Sequence, residues 1–187
     1  MENAHLLPED DPLEEVERLM AEGRAAEAAS FIGAQIAEGR GGLLARLAHA
    51  RALCASEDVA GALDVARETA MLYAAAAVAA DGLGAVLLEA QYLPTAIAEF
   101  QRALRLDPDY EAARLHLGEA WLAAGEADKA LDAFASLPSE TQGLAAKIAE
   151  AEAMRARPRS DAGYVRHLFD QFSTDYDARM IQQLSYR

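Results

Sequence analysis

The stretch Leu117-Gly118-Glu119-Ala120-Trp121-Leu122-Ala123-Ala124-Gly125-Glu126-Ala127-Asp128-Lys129-Ala130-Leu131-Asp132-Ala133-Phe134 decides the fold, because its key residues occur twice at a fixed interval. The step that separates Leu83-Gly84 from Leu117-Gly118 also carries Ala96 to Ala130 and Phe100 to Phe134. One step further back, Ala62 and Ala28 fall at the Ala96 position, and Ala50 falls at the Gly84 position. Self-similarity at a period of this size marks a repeat architecture, in which each unit covers the apolar face of its neighbour. One phase places four units at 9–42, 43–76, 77–110 and 111–144, with 1–8 as a flexible N-terminus.

The units read as helices. Hydrophobic residues make up 52% of the 187 but aromatics only 6%, and alanine fills the gap. Alanine is the best helix former and lets helix axes approach closely. β-branched residues are scattered, with no alternating run bounded by turns, so no strand is predicted. Gly125 is placed to end one helix and Asp128 to cap the next, with Gly23 in the equivalent place earlier. Pro94 suits a first helical turn, and Asp107-Pro108 stops one helix before Asp109 starts another. Ser139-Glu140-Thr141-Gln142 has capping-box spacing and predicts a helix over 140–157, with Leu144, Ile148 and Ala151 on one side, covering the array's last apolar face.

These positions resemble the tetratricopeptide repeat (TPR) family. The third unit supplies Leu83, Gly84, Ala96, Phe100, Ala103 and Pro108, and the fourth Leu117, Gly118, Trp121, Ala130 and Phe134. The match weakens through the second unit to the first, where Val16 stands at the small-residue position. The resemblance implies an all-α fold: a right-handed α-solenoid of about four helix pairs, a capping helix and an aromatic C-terminal helical extension. It also implies a protein or peptide partner held in a concave groove lined by the first helix of each unit. The groove positions would be Leu44, Leu47, Arg51, Asp81, Ala85, Leu88, Glu89, Leu115, His116, Glu119 and Leu122. No asparagine follows Asn3 and no lysine precedes Lys129, so the clamp some TPR domains use for a terminal carboxylate is absent. Apolar residues with acids suit an amphipathic or basic segment instead. The alternative for each leucine is packing between units, and for His116 an ordinary packing or surface role.

A formal net charge of −14 repels phosphate backbones and anionic membranes, so neither nucleic acid nor membrane is expected as partner. Glu9, Asp10, Asp11, Glu14, Glu15 and Glu17 read as a solvated helix start, where carboxylates suit the helix dipole. Cys54 is the only cysteine and allows no internal disulfide; it sits on an apolar helical face as a small core residue. It shows no metal-ligand spacing with His5, His49, His116 or His167, so no metal is expected. No basic region followed by an apolar one opens the chain, and Met71–Ala80 is too short to span a bilayer, which makes the cytoplasm the expected compartment.

Composition changes after Pro158. Tyr164, Phe169, Phe172, Tyr176 and Tyr186 crowd the stretch from Ser160 to Arg187, and alanine thins out. The run from Tyr164 through Phe169-Asp170, Phe172 and Tyr176-Asp177 to Arg187 is similar to the lead-in of bacterial TPR-containing methyltransferases that use S-adenosylmethionine. That resemblance implies that 160–187 introduces a catalytic domain, with Tyr164, Phe169, Phe172 and Tyr176 as a lid over the cofactor. The alternative is that these aromatics dock the segment against the end of the solenoid. No Gly-x-Gly-x-Gly follows a strand, so no residue here is expected to bind cofactor or to catalyse; S-adenosylmethionine would belong to a following domain. Two functions are therefore expected in competition: the recognition part of a methyltransferase, or a stand-alone TPR adaptor.

Overall fold

A computed structural model describes residues 11–156. The expected flexible N-terminus and the 160–187 segment, with Tyr164, Phe169, Phe172 and Tyr176, lie outside the described residues. Within them run nine helices and no strand: α1 (Pro12–Ala21), α2 (Ala25–Ala37), α3 (Leu43–Ala55), α4 (Val59–Leu72), α5 (Ala77–Glu89), α6 (Leu93–Leu106), α7 (Glu111–Ala123), α8 (Ala127–Phe134) and α9 (Leu144–Ala156). The architecture is all-α, built of helix pairs. The helices α2, α4, α6 and α8 begin at Ala25, Val59, Leu93 and Ala127, a constant interval equal to the sequence period.

The turn that separates the two helices of a pair repeats just as regularly. Gly23, Glu57, Gln91 and Gly125 all take left-handed backbone, at φ of 74°, 67°, 62° and 77°. Directly after them, the N–H groups of Arg24, Asp58, Tyr92 and Glu126 donate to the carbonyls of Leu19, Leu53, Leu87 and Trp121 at 2.8–2.9 Å. This is the Schellman closure, which satisfies a carbonyl left over in the last helical turn. Glycine adopts that backbone freely, whereas a residue with a Cβ does so at a cost of about 1–2 kcal/mol. Glu57→Gly should therefore stabilise the chain by about 0.5–1 kcal/mol, after glycine's extra unfolded-state freedom is subtracted. A raised urea midpoint with unchanged slope would show it.

Packing inside a pair turns on two positions, one on each helix, that recur in every unit. They are filled by Val16 and Ile32, Ala50 and Ala66, Gly84 and Phe100, Gly118 and Phe134. The second member of each pair is buried, and Phe100, Phe134, Ile32 and Val16 are among the largest fully buried side chains among the described residues. A methyl group built on Gly84 would lie 2.5 Å from Cε1 of Phe100, and one on Gly118 would overlap the Phe134 ring. The phenyl ring thus occupies the space a side chain on the facing helix would need. In the first pair, isoleucine in place of phenylalanine makes room for valine in place of glycine. That exchange explains why Val16 breaks the sequence pattern while keeping the packing.

The described residues divide into two compact units between His116 and Leu117, a division that falls within α7. In the first unit consecutive helices pack on one another from α1 to α6, and α3 also packs on α1 and α5. Its core at the start is Val16, Leu19, Ala28, Ala29 and Ile32 with Ala45, Ala48 and Ala52. Further along, Ala80, Ala103 and Ala113 meet with Tyr110 beside them. Thr69, wholly buried in α4, turns its hydroxyl back onto the Val65 carbonyl at 2.6 Å, so its oxygen is not stranded.

In the second unit Ala127, Ala130 and Phe134 of α8 are buried, as are Leu144 and Ala151 of α9. Three local expectations need correction here and at the preceding turn. The helix expected from 140 starts at Leu144, because Gly143 takes φ 76° and Ser139 Oγ bonds to Glu140 Oε2 at 3.0 Å, a neighbour contact rather than a cap. Asp128 lies inside the first turn of α8, whose N-cap is Glu126. The Asp107 carboxylate accepts the Asp109 N–H at 3.1 Å, so Asp107 shapes the turn and α7 starts at Glu111.

Candidate binding groove in the first unit

Side chains three and four apart share one face of a helix, so α3 presents Leu44, Leu47, Ala48, Arg51, Cys54 and Ala55 together. The same face of α5, one repeat further on, presents Val78, Asp81, Gly82, Ala85 and Glu89. Leu13 and Glu17 of α1 and His116 of α7 complete the walls of a groove of about 730 Å³, with Ala50 and Val86 at its base. Small residues give it depth. A methyl group on Gly82 would overlap the Leu47 side chain, so α3 and α5 close up there. Leu44 stands 60% exposed at one end, a large apolar side chain with no cover.

Charged groups in the groove are arranged unevenly. Arg51 is ion-paired with Glu17, one repeat earlier, which ties α3 to α1. Asp81 is buried, and one carboxylate oxygen meets His116 Nδ1 at 2.8 Å while the other accepts the Tyr110 hydroxyl at 3.4 Å. The His116 ring also lies 5.5 Å from the Phe100 ring, which links this polar cluster to the core. Burial, with Asp81 alongside, pushes the Tyr110 phenol up to about 12. A group raised on folding adds stability below its unfolded pKa and loses it as pH climbs through the folded one. The window for Tyr110 is therefore about pH 10 to 12. Tyr110→Phe should flatten the alkaline fall of the melting temperature across that window, with little change at pH 7 beyond one lost hydrogen bond.

Cys54 is half-buried on the groove wall rather than in the core. Burial first, then the nearby Glu89 charge, push its thiol up, so it stays protonated and unreactive at neutral pH. His49 is held below its usual range by burial and by Arg46. Among the described residues no group of three or more His, Cys, Asp or Glu is arranged to hold a metal ion, and no helix is long and apolar enough to cross a membrane.

Of the residues expected on the groove, Leu44, Leu47, Arg51, Asp81, Ala85, Glu89 and His116 line it together. Leu88 and Leu115 are half-buried and are not among its lining residues. Glu119 and Leu122 belong to the second unit, where Glu119 pairs with Lys147 at 2.5 Å and Leu122 is buried. Of the pattern residues, Ala96, Phe100, Ala130 and Phe134 are buried, Pro108 is exposed, and Trp121 carries the Lys129 ammonium 4.4 Å above its ring. Leu13, Glu17, Cys54, Val78 and Gly82 escape the sequence reading, although stepping one repeat back from Leu47 and Arg51 reaches Leu13 and Glu17 at once.

Comparison with known proteins agrees with the architecture. Residues 87–155 match the model of a tetratricopeptide repeat family. No curated protein sequence matches the chain. Among solved structures the chain is similar to TTC0263, a thermophilic TPR protein of Thermus thermophilus, at 20% identity and TM-score 0.67 over 87% of each chain. It is also similar to MamA (residues 41 to the end) of Desulfovibrio magneticus RS-1, at 20% identity and TM-score 0.55 over 80% of each chain. A third likeness is to the nearly identical TPR-like repeats of a Podosopora anserina protein assigned as a kinesin light chain, at 17% identity and TM-score 0.64 over 94% of this chain and 95% of that one. The chain therefore has the helix-pair α-solenoid fold of TPR proteins.

Proposed function

We propose that this chain is a protein-binding module that holds a segment of a partner protein in the groove of its first unit. The observation that carries this reading is the groove itself. A cavity of about 730 Å³ runs across three first helices, walled by leucine, valine and alanine, with the exposed Leu44 at its end. An apolar trough of this size, with a few fixed polar groups, suits side chains of a docked segment. The polar groups that line it are held in place: Asp81 bonds to His116 and accepts from the Tyr110 hydroxyl, and Arg51 pairs with Glu17.

The test is capture of a partner from lysate of the source organism by tagged variants. Leu44→Asp, in the groove, should abolish capture while leaving the melting temperature unchanged, because Leu44 is already 60% exposed. Met71→Asp, on α4 and 74% exposed, should leave capture intact. Loss with Met71→Asp and not with Leu44→Asp would place binding elsewhere.

A finer reading makes this module the recognition part of a methyltransferase that uses S-adenosylmethionine. It rests on the resemblance of residues 164–187, outside the described residues, and none of the comparisons adds support to it. The stand-alone adaptor accounts for residues 11–156 equally well. Coding sequence beyond Arg187 separates the two: a strand and glycine-rich turn favour the methyltransferase, and a stop codon rules it out.

A further inference from the structure

The groove is polarised from end to end. Leu44 and Val78 occupy equivalent positions on α3 and α5 at one end, followed by Leu13 and Leu47. Ala55 and Glu89 occupy equivalent positions at the other end. At 1.5 Å of rise per residue, the helical stretch between those ends is about 16 Å long. The charges within the trough differ in availability. Glu17 neutralises Arg51, and Asp81 is buried against His116 and Tyr110. Glu89 is exposed, and among the described residues it makes no hydrogen bond or ion pair. It lines the trough together with Cys54 and Ala55, at the end away from Leu44 and Val78.

Resting on the protein-binding reading, we infer that the occupant is an amphipathic cationic segment, its apolar side chains set between Leu44 and Val78 and a lysine or arginine set at Glu89. Leucine and valine at one end reward buried apolar area, while the carboxylate at the other discriminates by charge and fixes the segment's direction. The chain's net charge of −14 draws a cationic segment in and repels an acidic one, a second copy of this chain included.

Two synthetic, fluorescein-labelled helical peptides of about 18 residues, long enough to span the trough, test the inference. One carries leucines along one face at one end and lysines at the other; its counterpart has glutamate for lysine. Fluorescence anisotropy reads binding to the full chain, to Leu44→Asp, to Glu89→Lys and to Glu150→Lys, the last making the same charge change on an exposed residue of α9. The lysine peptide should bind the unaltered chain and Glu150→Lys alike, and bind Leu44→Asp and Glu89→Lys about tenfold more weakly. Glu89→Lys should in turn gain the glutamate peptide. If Leu44→Asp weakens binding and Glu89→Lys does not, the groove reading stands and the polarity is wrong. No effect of Leu44→Asp overturns both. An equal loss with Glu150→Lys, equal binding of both peptides, or no binding of the lysine peptide overturns the inference.

Discussion

Phe100→Ala should lower the unfolding free energy by about 3–5 kcal/mol, the range for removing a fully buried aromatic side chain. The Phe100 ring is wholly buried, lies against the backbone of Gly84, and stands 5.5 Å from the His116 ring. Its loss leaves a void between α5 and α6 that the surrounding structure closes only in part. Because His116 holds Asp81 on the groove wall, the same change should loosen the groove and weaken binding there. Tyr92→Ala serves as the comparison: that residue is 46% exposed, and its truncation should cost about 1 kcal/mol, well below the Phe100→Ala loss. Urea unfolding of the two variants decides the matter. A Phe100→Ala loss below about 1 kcal/mol would mean the ring is not a core residue.

The second large effect comes from adding atoms rather than removing them. Gly84→Val places a branched side chain where the Phe100 ring already sits, and overpacking of this kind costs about 1–3 kcal/mol. Adding Phe100→Ile to Gly84→Val reproduces the Val16 and Ile32 pair that the first repeat uses at the same two positions. The double variant should therefore lose less than the two single losses combined, with a coupling of about 1 kcal/mol or more in its favour. Strict additivity would deny that the two side chains compete for one space.

The same pair shows what sequence reveals and what it conceals. Gly84 with Phe100 and Gly118 with Phe134 announce a helix crossing, because a bare backbone beneath a ring is a distinctive combination. Val16 with Ile32 fills the same volume with the sizes shared differently, so the first repeat is faint in sequence and plain in packing. The left-handed turns divide likewise. Gly23 and Gly125 advertise that backbone, whereas Glu57 and Gln91 adopt the same turn without a glycine to announce it.

For the groove, helical spacing places Leu44, Arg51 and Glu89 together, but spacing alone does not separate a lining leucine from a packing one. Leu88, on the same face of α5 as the lining residues Ala85 and Glu89, is half-buried outside the groove's lining. Cys54, an apolar-looking side chain on an apolar face, faces the groove for a reason set by tertiary packing. The Ser139 to Gln142 spacing promises a helix start that the left-handed Gly143 postpones.

The most direct measurement is a titration of isotopically labelled protein with the lysine peptide, followed by backbone and methyl NMR shifts. Perturbations should concentrate at Leu13, Leu44, Leu47, Val78, Ala85 and Glu89, the faces that α1, α3 and α5 turn toward one another. Shifts confined to Leu63, Met71 or Ile97 on the second helices, or no shift at saturating peptide, would contradict a binding trough between the first helices.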